Sequence, residues 1–230
     1  MSSFHVVLAA PSTGHCRTQF AFSLARLVGY LSRVKPLPEL TDWGYTFSML
    51  EGSSISTNRE RIVRQSLADP KVTHLCFMDD DMGFAHDVLH IMAGRRLPLV
   101  ACNYRMRVPP AEFTATRYDL ASRMETTEKS TGLEQAAFTG FGCCLIERSV
   151  LEAVPEPRFP ILWRNAELDY TTEDLPFFDA VNKLGIKAYV DHDASKRVWH
   201  NGNINYVYNE NYEAHSGSHG IAPTEALALG

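Results

Sequence analysis

Two hydrophobic periods alternate along this chain. Residues 4–10, FHVVLAA, form an apolar run, interrupted only by His5, of the kind a strand buried on both faces requires. Phe20, Leu24, Leu27, Val28 and Leu31 then recur at helical spacing, so the opening predicts a strand followed by a helix. The rhythm continues with a possible strand at YTFSML (45–50), a helix over about 56–67 and a strand at THLCFM (73–78). A short helix over about 85–93 and a strand at LPLVAC (97–102) come next. Alternation of this kind predicts an α/β fold, an open sheet with helices against its faces.

After Asn103 the rhythm breaks. VPPAEFTATRYDLASRMETTEKSTG is polar and carries turn residues, and about 103–135 reads as a small β-rich insert holding at most short antiparallel strands. Order resumes at AAFTGFGCCLIE, followed by a helix through VLEAV with Ser149 as its N-cap, and then by PEPRFP. A helix over about 172–184 should be closed by Gly185, with IKAYV as the next strand. Beyond His200 the chain is polar and rich in Asn, Gly and Tyr. The expected division is therefore an ordered unit over 1–202 and a polar tail or lid over 203–230.

Composition narrows the class. With 230 residues, 45% hydrophobic and 21% charged, the chain suits one globular domain, or one with an appendage. No run approaches the roughly 18 apolar residues of a membrane span, and the N-terminus reaches its apolar run without the Lys or Arg of a secretory signal. A formal charge of −5 without a long basic block gives no electrostatic case for nonspecific nucleic-acid binding. The five cysteines show no CxxC spacing and mostly lie in apolar runs, which predicts reduced core thiols in a cytoplasmic protein. Only Cys16, between His15 and Arg17, has neighbours that suit a reactive thiol.

Candidate chemistry gathers at Asp79, Asp80 and Asp81, where an apolar strand ends in three adjacent carboxylates that repel one another. Alternation along an extended chain puts Asp79 and Asp81 on one side. Hard carboxylate oxygens suit Mg²⁺ or Mn²⁺, and open α/β sheets bind ligands beyond the carboxyl ends of their strands. The alternative is an acidic turn in which Asp80 or Asp81 caps the helix beginning near Ala85.

The block ISTNRERIVRQSLADPKVTHLCFMDDDMGFAHDVLHIMAGRRLPLVACNY resembles the nucleotide-sugar half of GT-A-fold glycosyltransferases, in particular family 2-like enzymes of bacteria and phages. That resemblance implies a Rossmann-like open mixed sheet and a DxD motif, matched by Asp79 and Asp81 with Asp80 between them, that binds a divalent ion bridging the donor diphosphate. LAAPSTGH resembles the opening strand and loop of that fold, which makes Ala10, Pro11 and Ser12 nucleotide contacts. Arg59 matches an arginine ahead of the DxD strand, or else is a surface helix charge. TTEDLPFFDAVNKLGIKAYVD resembles the acidic helix start at which inverting members place their base, so Asp174 is the base candidate and Glu173 its neighbour. Thr171-x-x-Asp174 is equally a capping-box pattern. VWHNG resembles the late H-x-G, with His200 completing the metal shell or touching the diphosphate, or else serving as a satisfied rim histidine. Asp191, His192 and Asp193 form a competing metal-like cluster, which reads as a polar turn.

The resemblance implies a metal-dependent glycosyltransferase of the cytoplasm, or of the host cytoplasm if phage-encoded. It would use Mn²⁺ or Mg²⁺ and a nucleotide-sugar donor, with the acceptor a glycan, a protein, a lipid-linked sugar or a modified DNA base. Two rivals remain at this stage: a nucleotidyltransferase of the same architecture, although APSTGHCR offers one glycine and one arginine to a triphosphate, and a noncatalytic nucleotide- or sugar-binding protein.

Overall fold

A computed structural model describes residues 3–107, 110–119, 122–164, 169–202 and 205–208. The first half follows the apolar rhythm: β1 (Ser3–Ser12), α1 (Thr18–Leu31), β2 (Asp42–Glu51), α2 (Ile55–Ala68), β3 (His74–Met78), β4 (Met82–Phe84), α3 (Val88–Gly94) and β5 (Leu99–Ala101). The second half runs β6 (Thr116–Arg117), β7 (Leu133–Phe138), β8 (Cys143–Glu147), α4 (Arg148–Ala153), β9 (Trp163–Arg164), β10 (Asp169–Tyr170), α5 (Asp174–Lys183), β11 (Ala188–Asp191), α6 (His192–Ser195), β12 (Val198–Asn201) and β13 (Asn205–Tyr206). Eight strands make one mixed sheet in the order β2-β1-β3-β8-β5-β11-β7-β6. β1 lies parallel to both β2 and β3, whereas β8 is antiparallel to β3 and β5.

Period-2 alternation in β1 explains the layers. Phe4, Val6, Leu8 and Ala10 face one core with Phe20, Leu27 and Leu31 of α1 and Leu89 and Met92 of α3. Val7 and Ala9 face the other core, with Ile62 and Val63 of α2 and Phe177, Phe178 and Val181 of α5. Both faces of the sheet are thus covered, as its near-continuous apolar strands demand.

Most differences from the sequence expectations lie at element ends. α2 starts one residue before the expected 56, because Ser54 is its cap and accepts from the Thr57 N–H at 3.3 Å. Ser149 is not an N-cap: α4 begins at Arg148 with Glu147 in the capping position, and the Ser149 hydroxyl donates to the Glu147 carboxylate at 2.9 Å. Gly185 does close α5, at φ 72°, where the Ile186 N–H returns to the Val181 carbonyl. The helix expected over 85–93 begins at Val88 with Asp87 in the cap position, so neither Asp80 nor Asp81 caps it.

The described part of 103–135 carries short antiparallel pairings, β6 with β7 and a bridge between Arg105 and Phe113. Buried Asn103 ties this region down, with its side-chain amide donating to the Met124 carbonyl and its side-chain oxygen accepting from the Ala115 N–H. The tail or lid expected over 203–230 lies outside the described residues except at 205–208, where β13 pairs with β12. No helix among the described residues is long and apolar enough to cross a membrane. Cys76, Cys102, Cys143 and Cys144 are buried and free, and Cys16 is free and exposed.

His74, in the central strand β3, supplies a titratable group to the core. It is 3% exposed, its ring lies 4.5 Å from that of Phe4, and Nδ1 is 2.8 Å from the Thr73 hydroxyl. Burial lowers its pKa from 6.5 to about 4. A depressed histidine contributes stability that is complete above pH 6.5 and is lost as pH falls toward 4. Chemical denaturation across that window should show wild type losing about 2–3 kcal/mol more than His74→Gln. Parallel pH dependences would contradict this assignment.

Candidate functional site

Two strand ends, of β1 and β3, and two helix starts, of α2 and α5, converge on a pocket of about 220 Å³ lined by Pro11, Ile55, Arg59, Asp79, Asp80, Asp81 and Glu173. β3 stops at Met78, so the three aspartates form a turn rather than an extension of the strand. Strand alternation therefore does not sort them, and all three line the pocket. Their backbone is fixed carbonyl by carbonyl: Asp79 accepts from the Met82 N–H, Asp80 from that of Arg17 and Asp81 from that of Asn201, at 2.8–2.9 Å. β4 then runs antiparallel to β12, with Met82 opposite His200. Gly83 makes that pairing possible, since a Cβ there would lie 2.2 Å from the Trp199 indole nitrogen.

Arg59 is not a surface charge. It sits on the inward face of α2 with Ile62, Val63 and Ser66 and is 2% exposed. Its guanidinium lies over the rings of Phe77 and Phe141 at 5.1 and 4.9 Å, where cation–π attraction replaces part of its lost hydration. Nη2 bonds Asp79 at 2.7 Å and Nε bonds Glu173 at 3.1 Å, while Nη1 is buried with no partner among the described residues. Burial alone would lower the Arg59 pKa, but the two carboxylates outweigh it and hold the pKa above the ordinary arginine range.

The carboxylates differ. Burial, reinforced by Asp81 and Glu173, raises Asp79 to about 6 in spite of Arg59. The partners thus shift oppositely in consequence, one charge favoured and the other disfavoured. Arginine has no accessible neutral form, so Arg59 stays charged and Asp79 is the member that titrates. Asp80 is raised, again chiefly by burial; Ser12 hydrogen-bonds its carboxylate, yet Oδ2 is buried with no partner among the described residues. Asp81 is lowered, because the hydrogen bond to His200 and the charges of His200 and Arg107 outweigh its burial.

His200 reaches this corner from β12. Its Nε2 lies 3.3 Å from Asp81 Oδ2, and its Nδ1 lies 3.1 Å from the Arg105 carbonyl oxygen. A carbonyl only accepts, so Nδ1 carries a proton; with Nε2 protonated as well the ring donates to Asp81, the contact that lowers the Asp81 pKa, and on loss of that proton Nε2 offers a lone pair beside the carboxylate. In that neutral form the imidazole lone pair and the Asp81 carboxylate, together with an Asp80 Oδ2 that has no hydrogen-bond partner among the described residues, suit a hard divalent cation completed by ligand oxygens. Among the described residues, no three His, Cys, Asp or Glu side chains are disposed to hold a metal by themselves. Asp79 Oδ1 is already engaged by Arg59.

The other sequence candidates are distributed around this corner. Pro11 lines the pocket, Ser12 is buried beneath it and accepts from the Gly14 N–H, and the Ala10 side chain belongs to the core. Glu173 faces the pocket, whereas Asp174 is the first residue of α5 and accepts from the Leu175 N–H at 3.0 Å. The capping-box pattern is not realised: Glu173 holds the cap position, and the Thr171 hydroxyl instead accepts from the Leu162 N–H. Burial raises the Asp174 pKa. Asp191, His192 and Asp193 form a structural turn, with Asp191 capping α6 and paired with Arg95, and His192 set between Glu134 and Thr126. Ile55 and Arg107 escaped the sequence reading. Ile55 lies in the block containing Arg59, whereas Arg107 lies in a stretch with no periodicity.

No protein-family model matches the chain, and no curated protein matches it. Similar solved structures include A197 from STIV, at TM-score 0.57 and 17% identity over 95% of this chain and 100% of that one. GalNAc-T7, in its structure with UDP, GalNAc and Mn²⁺, is similar at TM-score 0.54 and 10% identity, over 86% of this chain and 43% of that one. The chain thus spans less than half of GalNAc-T7. The likeness shows the fold: a mixed α/β sheet of the GT-A glycosyltransferase type.

Arg59 generates a stability prediction. Arg59→Met leaves Asp79 and Glu173 without their shared cation and should cost about 3–5 kcal/mol in denaturant unfolding. Adding Asp79→Asn and Glu173→Gln to that variant should recover part of the loss. A cost below about 1 kcal/mol, the scale of an exposed pair, would contradict the buried role.

Proposed function

We propose that this protein is a glycosyltransferase that uses a nucleotide-sugar donor and a divalent ion, Mn²⁺ or Mg²⁺. The observation that carries this reading is the pocket at the end of β3, where four carboxylates, Asp79, Asp80, Asp81 and Glu173, meet one lining guanidinium. The GalNAc-T7 neighbour, of the same fold, was solved with UDP and Mn²⁺. A triphosphate-gripping nucleotidyltransferase fits less well, since so acidic a pocket repels a polyanion unless few phosphates enter under a bound cation.

Asp81 and His200 would hold the cation, with Asp79 and Asp80 adding negative field beside it. A cation bound there supplies charge that neutralises the diphosphate as it leaves the sugar. Pro11 and Ser12 end β1 at the nucleotide side, and Ala10 can contribute only backbone because its side chain is in the core. Arg59 fixes Asp79 and Glu173 relative to each other.

Asp174 is the proposed base: its raised pKa makes the carboxylate a better proton acceptor than an ordinary one. A second reading assigns the base to Glu173, because Glu173 is the residue that lines the pocket. The five free thiols suit a reducing compartment, and we place the protein in the cytoplasm on that ground. The acceptor hydroxyl belongs to a glycan, a protein, a lipid-linked sugar or a modified base.

The test is a panel of nucleotide-sugars with and without Mn²⁺, following release of nucleoside diphosphate. One donor should turn over only with metal; saturable binding without release from any donor would make the protein a binder. Asp174→Asn should retain donor binding and lose about 10²- to 10⁴-fold in rate. If Glu173→Gln shows that pattern while Asp174→Asn stays active, the base is Glu173.

A further inference from the structure

Arg107 carries an inference that rests on the donor-site reading and goes beyond it. The insert backbone is pinned up to this residue: the Thr114 N–H bonds the Tyr104 carbonyl, and the Met106 N–H bonds the Glu112 carbonyl at 2.8 Å. From that anchored ladder the Arg107 side chain, 41% exposed, reaches back to the acidic turn. Its Nη2 lies 2.9 Å from Asp81 Oδ2, the same oxygen that faces His200 Nε2 at 3.3 Å. One carboxylate oxygen therefore serves both the guanidinium and the imidazole corner.

Those contacts conflict once a divalent ion binds. An ion between Asp81 and His200 uses the oxygen's electron density, and a guanidinium held against the same oxygen repels it. Arg107 must then withdraw. Its half-exposed side chain can do so without breaking a core contact, and the phosphate that completes the ion's shell brings a new anion beside Asp81. A planar guanidinium suits phosphate oxygens as well as carboxylate.

We infer that Arg107 is an exchanging cation of the donor site: it neutralises Asp81 while no divalent ion is bound and moves to the donor's diphosphate when ion and nucleotide enter. Arg107 thereby opposes binding of the bare ion and favours binding of the ion together with a diphosphate. The same exchange gives the insert a role in donor recognition. A fixed structural ion pair predicts a different pattern, because its removal frees Asp81 for the ion without weakening the nucleotide.

Calorimetric titration separates the two. Wild type, Arg107→Gln and Arg107→Lys are titrated first with Mn²⁺ alone, then with UDP, GDP or ADP at saturating Mn²⁺, after circular dichroism shows each variant folded. Arg107→Gln should bind Mn²⁺ alone about two- to five-fold more tightly, the scale of releasing a half-exposed ion pair. It should bind the Mn²⁺-dependent nucleotide about ten- to hundred-fold more weakly, the scale of a lost charged hydrogen bond. Arg107→Lys should fall between in both. Nucleotide affinity of Arg107→Gln within about twofold of wild type would overturn the exchange and leave the donor site standing. A wild type that binds none of the three nucleotides with Mn²⁺ would remove the donor-site reading and this inference with it.

Discussion

A single buried guanidinium organises this molecule's acidic pocket. Arg59 is brought to the sheet by α2, held over Phe77 and Phe141, and bonded at once to the turn after β3 and the start of α5. The turn after β3 and the start of α5, 20 and 114 residues from Arg59 in sequence, are fixed to each other through it. Burying an arginine is unfavourable unless its charge is matched and its donors are used. Asp79 and Glu173 meet that requirement, and their own burial is tolerable only because Arg59 is there. The surrounding packing is aromatic: Phe141 stacks on Phe178 at 5.4 Å, and Phe159 on Phe177 at 5.3 Å.

That pairing leaves charge over. Arg59 serves Asp79 and Glu173, and Arg107 reaches Asp81 from the rim, but Asp80 keeps a buried oxygen with no partner among the described residues. The aspartates are not free to disperse, because the Asp80 and Asp81 carbonyls are held by the Arg17 and Asn201 N–H groups from elsewhere in the fold and the Asp79 carbonyl by Met82 within the turn. A rigid cluster of like charge at the carboxyl end of a strand is a standing demand for a cation, and this is the physical ground for the donor-site proposal.

The sheet was legible because its signal is local. β1, β3 and α1 are long apolar patterns whose period alone identifies them, and the three aspartates stand out because no packing argument places them after THLCFM. β4 and β12 were missed because three or four residues carry no measurable period, and their pairing depends on Gly83 admitting Trp199. The burial of Arg59 was readable from its place three and four residues ahead of Ile62 and Val63, the spacing of an inward helix face. The Asp174 capping pattern misled because its threonine is taken by the Leu162 N–H, a contact no sequence window contains. Arg107 gave no sign at all, since it lies in an aperiodic insert, 26 positions from its partner Asp81.

The most direct measurement is a crystal structure grown with Mn²⁺ and a nucleoside diphosphate, with anomalous differences recorded at the manganese edge. A peak within about 2.0–2.4 Å of both Asp81 Oδ2 and His200 Nε2, close to the first-row metal–ligand range, is the predicted result. A peak elsewhere, or nucleotide bound in this pocket with no metal beside the aspartates, would contradict the account.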